Sequence, residues 1–172
     1  MKVARRSSAV VCGAVSLVLA FIIGAASPAF AQTDPLTGTW KLNAAKSKYN
    51  PANLAIKSNT IKYTIAGDTI TAVTDGVDAQ GRATHTEYTA KLDGKTYPFK
   101  GTIGGKPNPD QDGVMWKRID KNTYETTTML KGKALVTSHI VVAADGKTRT
   151  STQTGQNAQG QTVNNVVMYD KQ

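Results

Sequence analysis

From Leu36 onward the chain repeats one pattern: short runs in which apolar and polar residues alternate, each closed by a turn rich in Gly, Asp or Asn. Ala66-Gly67-Asp68 separates Ile61, Tyr63 and Ile65 from Ile70 and Ala72. Asp75–Gly81 ends that run and opens another over Ala83 to Leu92, and Asp93-Gly94 leads into Tyr97-Pro98-Phe99. Asp120-Lys121-Asn122, Lys131-Gly132-Lys133 and Asp145-Gly146-Lys147 punctuate the rest. Alternation of period two places successive side chains on opposite faces of a strand. Asp-Gly and Gly-Lys pairs supply the positive φ that tight hairpins need. Thr, Val, Ile and Tyr are abundant, and the helical period is missing. The spacing therefore predicts an all-β, single-domain, antiparallel up-and-down β-barrel of about eight to ten strands. Leu36-Thr37-Gly38-Thr39-Trp40-Lys41-Leu42 is its first strand, against which the others close.

The residues before this pattern read as a cleaved secretory signal, 1–31. Lys2, Arg5 and Arg6 give a positive start, Val15 to Ile23 an apolar core, and Ser27-Pro28-Ala29-Phe30-Ala31 a small-x-small cleavage site. The apolar run is too short for a stable membrane span. Ser7-Ser8 follow Arg5-Arg6 where a twin-arginine signal wants a bulky apolar residue, so general secretion is expected. The mature chain, 32–172, then has 141 residues, the length of one domain with a real core. Its expected place is the periplasm of a bacterium or the medium outside, as a monomer with no transmembrane segment.

Cleavage at residue 31 also removes Cys12, the only cysteine, and with it disulfides, thiol catalysis and thiolate metal sites. It leaves 18 basic residues against 12 acidic ones, a net charge of +6. That surplus suits an anionic envelope polymer. Nucleic acid is not expected, because the lysines are spread over turns and no aromatic side chains interleave with them.

Three stretches depart from the plain meander. Asn43 to Tyr49 is the one candidate for a helical turn, stopped by Asn50-Pro51, and in a small barrel it would plug or cross one end. Lys100 to Gly113 (KGTIGGKPNPDQDG) is expected to be an exposed, mobile loop at the rim. Gly76–Arg82 (GVDAQGR) is echoed by Gly155–Gln161 (GQNAQGQ), which reads as one turn chemistry used twice.

Gly38-Thr39-Trp40, opening the first strand of a cysteine-free exported meander, resembles the Gly-x-Trp signature of the lipocalin-like (calycin) barrels. The chain is similar to small lipocalin-like bacterial exported proteins of uncharacterised function. The likeness implies that the Gly permits a tight start and that Trp40 seals one end of the barrel, with Arg149 the residue to stack on it. A Thr-Asp-Tyr-type second motif is missing. The Arg-x-Tyr near the end of the fatty-acid-binding branch has no counterpart in Val166-Val167-Met168-Tyr169-Asp170, so the resemblance implies no carboxylate clamp there.

No catalytic constellation stands out. His85, Glu87 and His139 are the ligand types for zinc or iron, but alternation turns His85, Glu87 and Lys91 outward against Thr84, Thr86, Tyr88, Ala90 and Leu92. His139 likewise alternates against Val136, Ile140 and Val142, so no metal site is expected. Asp110-Gln111-Asp112-Gly113 and Asp75-x-x-Asp78 lack the closing Glu of a calcium loop and read as turns. There is no Gly-x-Ser-x-Gly, and neither histidine has a neighbouring Ser/Asp pattern. No cofactor is implied.

The interior carries more information. Large side chains are few and Thr fills many intervening positions, so a barrel of this kind holds water or ligand unless packing closes it. The ligand-binding candidates are Trp40, Tyr63, Tyr88, Tyr97, Phe99, Trp116, Arg118 and Tyr124. Ordinary core packing is the competing reading of the aromatics. Arg118 shares a face with Val114 and Trp116 and would meet a carboxylate or phosphate if that face is inward. The opposite register, with Met115 and Ile119 inward, leaves it in solvent. The leading expectation is a non-enzymatic binding module for a small amphipathic or apolar molecule. The alternative is a structural or interaction protein of the envelope with a filled barrel and a basic surface.

Overall fold

The structure, a computed structural model, describes residues 33–172. The secretory signal read over residues 1–31 lies outside them. Twelve strands form one antiparallel sheet. They are β1 Gly38–Leu42, β2 Ser58–Ala66, β3 Thr69–Val77, β4 Ala83–Lys91, β5 Asp93–Pro98 and β6 Lys100–Ile103. β7 Lys106–Pro107, β8 Gly113–Arg118, β9 Thr123–Leu130, β10 Lys133–Val142, β11 Thr148–Gln156 and β12 Thr162–Lys171 complete it. Their order is β5-β8-β9-β10-β11-β12-β1-β2-β3-β4-β6-β7.

The last strand pairs with the first, Trp40 opposite Lys171, so the sheet curls around a single interior. The seam falls between β4 and β5. Side chains cross it: the Trp116 indole N–H donates to the Tyr88 hydroxyl at 3.1 Å, and the Tyr88 and Phe99 rings lie 5.8 Å apart. Ten of the strands are those the alternation predicts; β6 and β7 are extra. They lie in the stretch expected to be a mobile loop, which instead pairs with the first half of β4, Thr84 opposite Ile103. Gly104 and Gly105 have φ of 59° and 77°, a two-residue turn that closes Ile103 on Lys106. Pro107 is tolerated because β7 is the outermost strand.

Between β1 and β2 the chain makes two 3-10 turns, Ala44–Lys46 and Ala52–Leu54, rather than one. The Asn43 side chain caps the first, accepting from Lys46 N–H at 3.1 Å. Lys48 then bridges to Val166, and the Asn50 N–H donates to the Asn165 amide oxygen at 2.9 Å. This connection therefore extends the β12 edge before crossing to β2.

The echoed turns share one geometry. Asp78 accepts from Arg82 N–H at 2.8 Å, and Asn157 accepts from Gln161 N–H at 2.9 Å. Each turn closes on a glycine of positive φ, Gly81 at 84° and Gly160 at 75°. An Asx side chain at that position substitutes for a backbone carbonyl.

Inside the barrel each inward row changes character along its strand. β3 presents Ile70, Ala72, then Thr74; β9 presents Tyr124, then Thr126 and Thr128. β11 runs Arg149, Ser151, Gln153, and β12 runs Tyr169, Val167, Asn165. The end that holds Trp40 (the lower end below) is filled by large side chains, whereas the upper end is lined by small and polar ones.

Candidate ligand cavity

The lower end is built on the segment before β1. Leu36 and Trp40 are fully buried, and the Trp40 indole N–H donates to the Leu36 carbonyl at 2.8 Å. Asp34 anchors the segment: one carboxylate oxygen accepts from Leu36 N–H at 3.0 Å and from the Tyr124 hydroxyl at 2.5 Å. The other pairs with Arg118. Lys171 closes the ring by donating to the Pro35 carbonyl at 3.1 Å. Gly38 starts β1 at φ 133°, a backbone conformation that residues with a Cβ rarely adopt, so the chain needs glycine at this bend.

Above Trp40 lies Arg149, 2 % exposed. Its guanidinium stands 3.8 Å from the Tyr169 ring centre, 5.4 Å from Tyr63 and 5.6 Å from Trp40. Its Nε and Nη2 have no hydrogen-bond partner among the described residues, so cation–π contact is what holds this charge. The Tyr63 ring packs edge-on against Trp116 at 5.6 Å. Together these residues make a dense plug and the floor of the space above.

That space is a pocket of about 310 Å3, partly open to solvent. Its floor is Tyr63, Tyr88, Val167 and Tyr169. Thr74, Thr86, Thr126, Thr128 and Gln153 form its walls, and Tyr49, Leu54 and Ile56 from the β1–β2 connection line it with Phe99 and Gln111. Burial pushes the Tyr49, Tyr63, Tyr88 and Tyr169 phenols above their ordinary value, so they stand as neutral hydroxyls. None of the lining residues is charged.

Of the residues singled out from the sequence, Tyr63, Tyr88 and Phe99 line the cavity. Trp40, Trp116 and Tyr124 are buried below or behind it. Tyr97 is half-buried on β5 and its hydroxyl donates to Asp93 at 3.1 Å. Val114 and Trp116 face inward, which excludes the register with Met115 and Ile119 inside. Arg118 follows them on that face but lies beyond the floor, against Asp34 and 5.7 Å from the Tyr124 ring centre. His85 and His139 are both exposed, His85 Nδ1 lying 2.7 Å from Asp75. Sequence reasoning did not single out Tyr49, Asn59, Asn165 or Tyr169. The inward alternation of β12 could have pointed to the last two, and that of β2, through Ile61 and Tyr63, to Asn59.

No family model matches the sequence, and no curated protein does. Among solved structures, zebrafish ileal bile acid-binding protein in complex with cholic acid is similar, with a TM-score of 0.52 and 15 % identity. The match covers 80 % of this chain and 99 % of that one. At that identity the likeness is one of fold alone, and the fold is a lipocalin-like calycin β-barrel.

Proposed function

We propose that this protein is a non-catalytic binder that holds a small amphipathic or apolar molecule in the upper cavity. The observation that carries the reading is the pocket itself: set into the mouth of the barrel, partly open to solvent, aromatic at its floor and hydroxyl-rich at its walls. Its volume of about 310 Å3 sits at the lower edge of the range of ligand pockets, roughly 300–1,000 Å3. The fold neighbour, solved with cholic acid, supports the same reading by analogy. Tyr63, Tyr88 and Phe99 are proposed to touch the ligand, while Trp40, Tyr97, Trp116, Arg118 and Tyr124 hold the floor and wall in place. The sequence of residues 1–31 supports export by general secretion to the bacterial envelope or beyond, with the barrel acting as a monomer. Among the described residues no helix is long and apolar enough to cross a membrane.

A second reading, an interaction protein acting on anionic envelope polymers, draws on the filled lower half and the basic exterior. Native mass spectrometry of the protein from its own host, before and after solvent extraction, separates the two. A reproducible small-molecule adduct that returns when the stripped protein meets the extract is the expected result. A clean apo mass in every preparation, with salt-sensitive polymer binding, would favour the second reading.

A further inference from the structure

We propose that Gln159 and Asp110 form a strap over the mouth of the pocket that sets how fast a small molecule enters and leaves it; this rests on the binding reading above. The strap begins in a difference between the two echoed turns. Gly76–Arg82 closes on itself: the Arg82 guanidinium meets the Asp78 carboxylate at 2.7 Å and the Gln80 side-chain oxygen at 3.5 Å. In Gly155–Gln161 the positions of Asp78 and Arg82 are held by Asn157 and Gln161, which bond each other at 2.8 Å as neutral amides. The counterpart of Gln80 is Gln159, whose amide reaches outside the turn. It donates to the Asp110 carboxylate at 2.9 Å, 49 residues away along the chain.

Sheet order gives this bond its meaning. Asp110 lies just before β8 and Gln159 in the turn between β11 and β12, with β9 and β10 between them in the sheet. Neighbouring strands stand about 4.8 Å apart, so the ends of β8 and β11 are separated by roughly 14 Å along the wall. The two side chains meet across that distance only because their segments lean together above the β9–β10 turn. Both segments flank the pocket: Gln111, next to Asp110, lines it, and so do Gln153 of β11 and Asn165 of β12.

The arms are braced and the joint is not. The Asp110 N–H donates to the Asn108 side chain at 2.9 Å and the Gln159 N–H to the Asn157 side chain at 3.1 Å, so an Asx residue shapes each arm. Asp112 ties its segment to the β9–β10 turn, accepting from the Lys131 N–H at 2.8 Å. Among the described residues, the Asp110–Gln159 bond is the one side-chain hydrogen bond that joins this segment to the β11–β12 turn. It is exposed, and a bond that exchanges with water at small net cost breaks readily. Neither Asp110 nor Gln159 lines the pocket, so the strap acts on the barrier that entry and release share and leaves affinity alone.

Stopped-flow mixing with 2-naphthylmethanol, a small amphipathic probe, followed by tryptophan fluorescence tests the strap, with affinity measured separately by calorimetry. Asp110→Ala and Gln159→Ala are each expected to raise the association and dissociation rates by about threefold, the net worth of one exposed hydrogen bond, with affinity unchanged. The double variant is expected to match the single ones, because each removes the same bond. Residues 32–172 contain no cysteine, so Asp110→Cys combined with Gln159→Cys can be joined by a short bis-maleimide. Both rates are then expected to fall at least about tenfold relative to the same variant left unjoined. Rates that do not fall on joining would overturn the inference while leaving the binding reading intact. Single variants whose effects add, or that shift affinity in place of rate, would overturn it too. No binding of the probe to the unaltered protein would remove the pocket-binder reading and this inference with it. The joined variant decides the question even if an alanine variant is unstable.

Discussion

The two ends of this barrel are made from the same strands and the same ladder, yet one is packed and the other is hollow. β9 shows it in three residues: Tyr124 fills the lower end and ties down Asp34, whereas Thr126 and Thr128 two and four positions on leave room. β11 repeats the lesson with Arg149, Ser151 and Gln153. A barrel's backbone fixes its width, so side-chain volume at each level decides whether that level is core or cavity. The lower end thus supplies stability, and the upper end is free to be lined for a ligand.

The alkaline limit gives the largest expected effect, because it strikes the tyrosines of both ends at once. Burial raises the phenols of Tyr63, Tyr88, Tyr124, Tyr169 and Tyr49. Below their ordinary value of 10.0 both folded and unfolded chains keep them neutral, and pH has no hold on stability through them. Above it the unfolded chain ionises first, so stability is lost as pH rises, by about 1.4 kcal/mol per tyrosine per pH unit. Phenolate absorbance is expected to appear together with unfolding rather than near 10.0. Phenolate formation near that value in a still-folded protein would break the account of both ends.

Trp40→Ala comes next, emptying the lower plug at a cost of about 3–5 kcal/mol in urea unfolding. Thr126→Val, in the upper wall, is expected to cost less than about 1 kcal/mol in the same assay. Equal losses would erase the distinction between the ends. Asp34→Ala removes the acceptor for Leu36, Tyr124 and Arg118; it should cost about 1–3 kcal/mol while leaving probe affinity in the cavity unchanged.

The smallest effect concerns the rim. Burial works against the Asp78 carboxylate, but the Arg82 N–H and guanidinium outweigh it and hold its pKa below the usual value of 3.8. That stability is present above 3.8 and lost as pH falls through the folded-state pKa. Asp78→Asn, which copies the chemistry of Asn157, should cost less than about 1 kcal/mol at neutral pH, since the Arg82 side of the pair is open to screening by solvent. Its gap from the unaltered protein should close in acid. A gap that persists at low pH would mean the turn depends on something other than charge.

Much of this was legible in the sequence. The turns sit where Gly and Asx residues put them, the faces of β4, β8 and β10 follow alternation, and Arg149 does stack on Trp40. Height along the barrel axis was not legible, because it depends on how far neighbouring strands stagger. Arg118 illustrates the limit: it shares its face with Val114 and Trp116, yet one step further down the strand takes it below the floor to Asp34. Tyr49 was hidden for a related reason. It reaches the pocket because the β1–β2 connection runs along β12 before crossing, a path marked by the Lys48–Val166 bridge. The β6–β7 hairpin was masked by Pro107 within it and Pro109 just after it, although Gly104-Gly105 marked the turn.

The central claim is that ligand occupies the upper end and leaves the lower end untouched. Amide NMR spectra recorded while 2-naphthylmethanol is titrated into the protein test it most directly. The account predicts shifts at Thr86, Thr126, Gln153 and Asn165, with Leu36, Trp40 and Val142 unmoved. Shifts confined to the outer faces, or centred on Trp40, would contradict it.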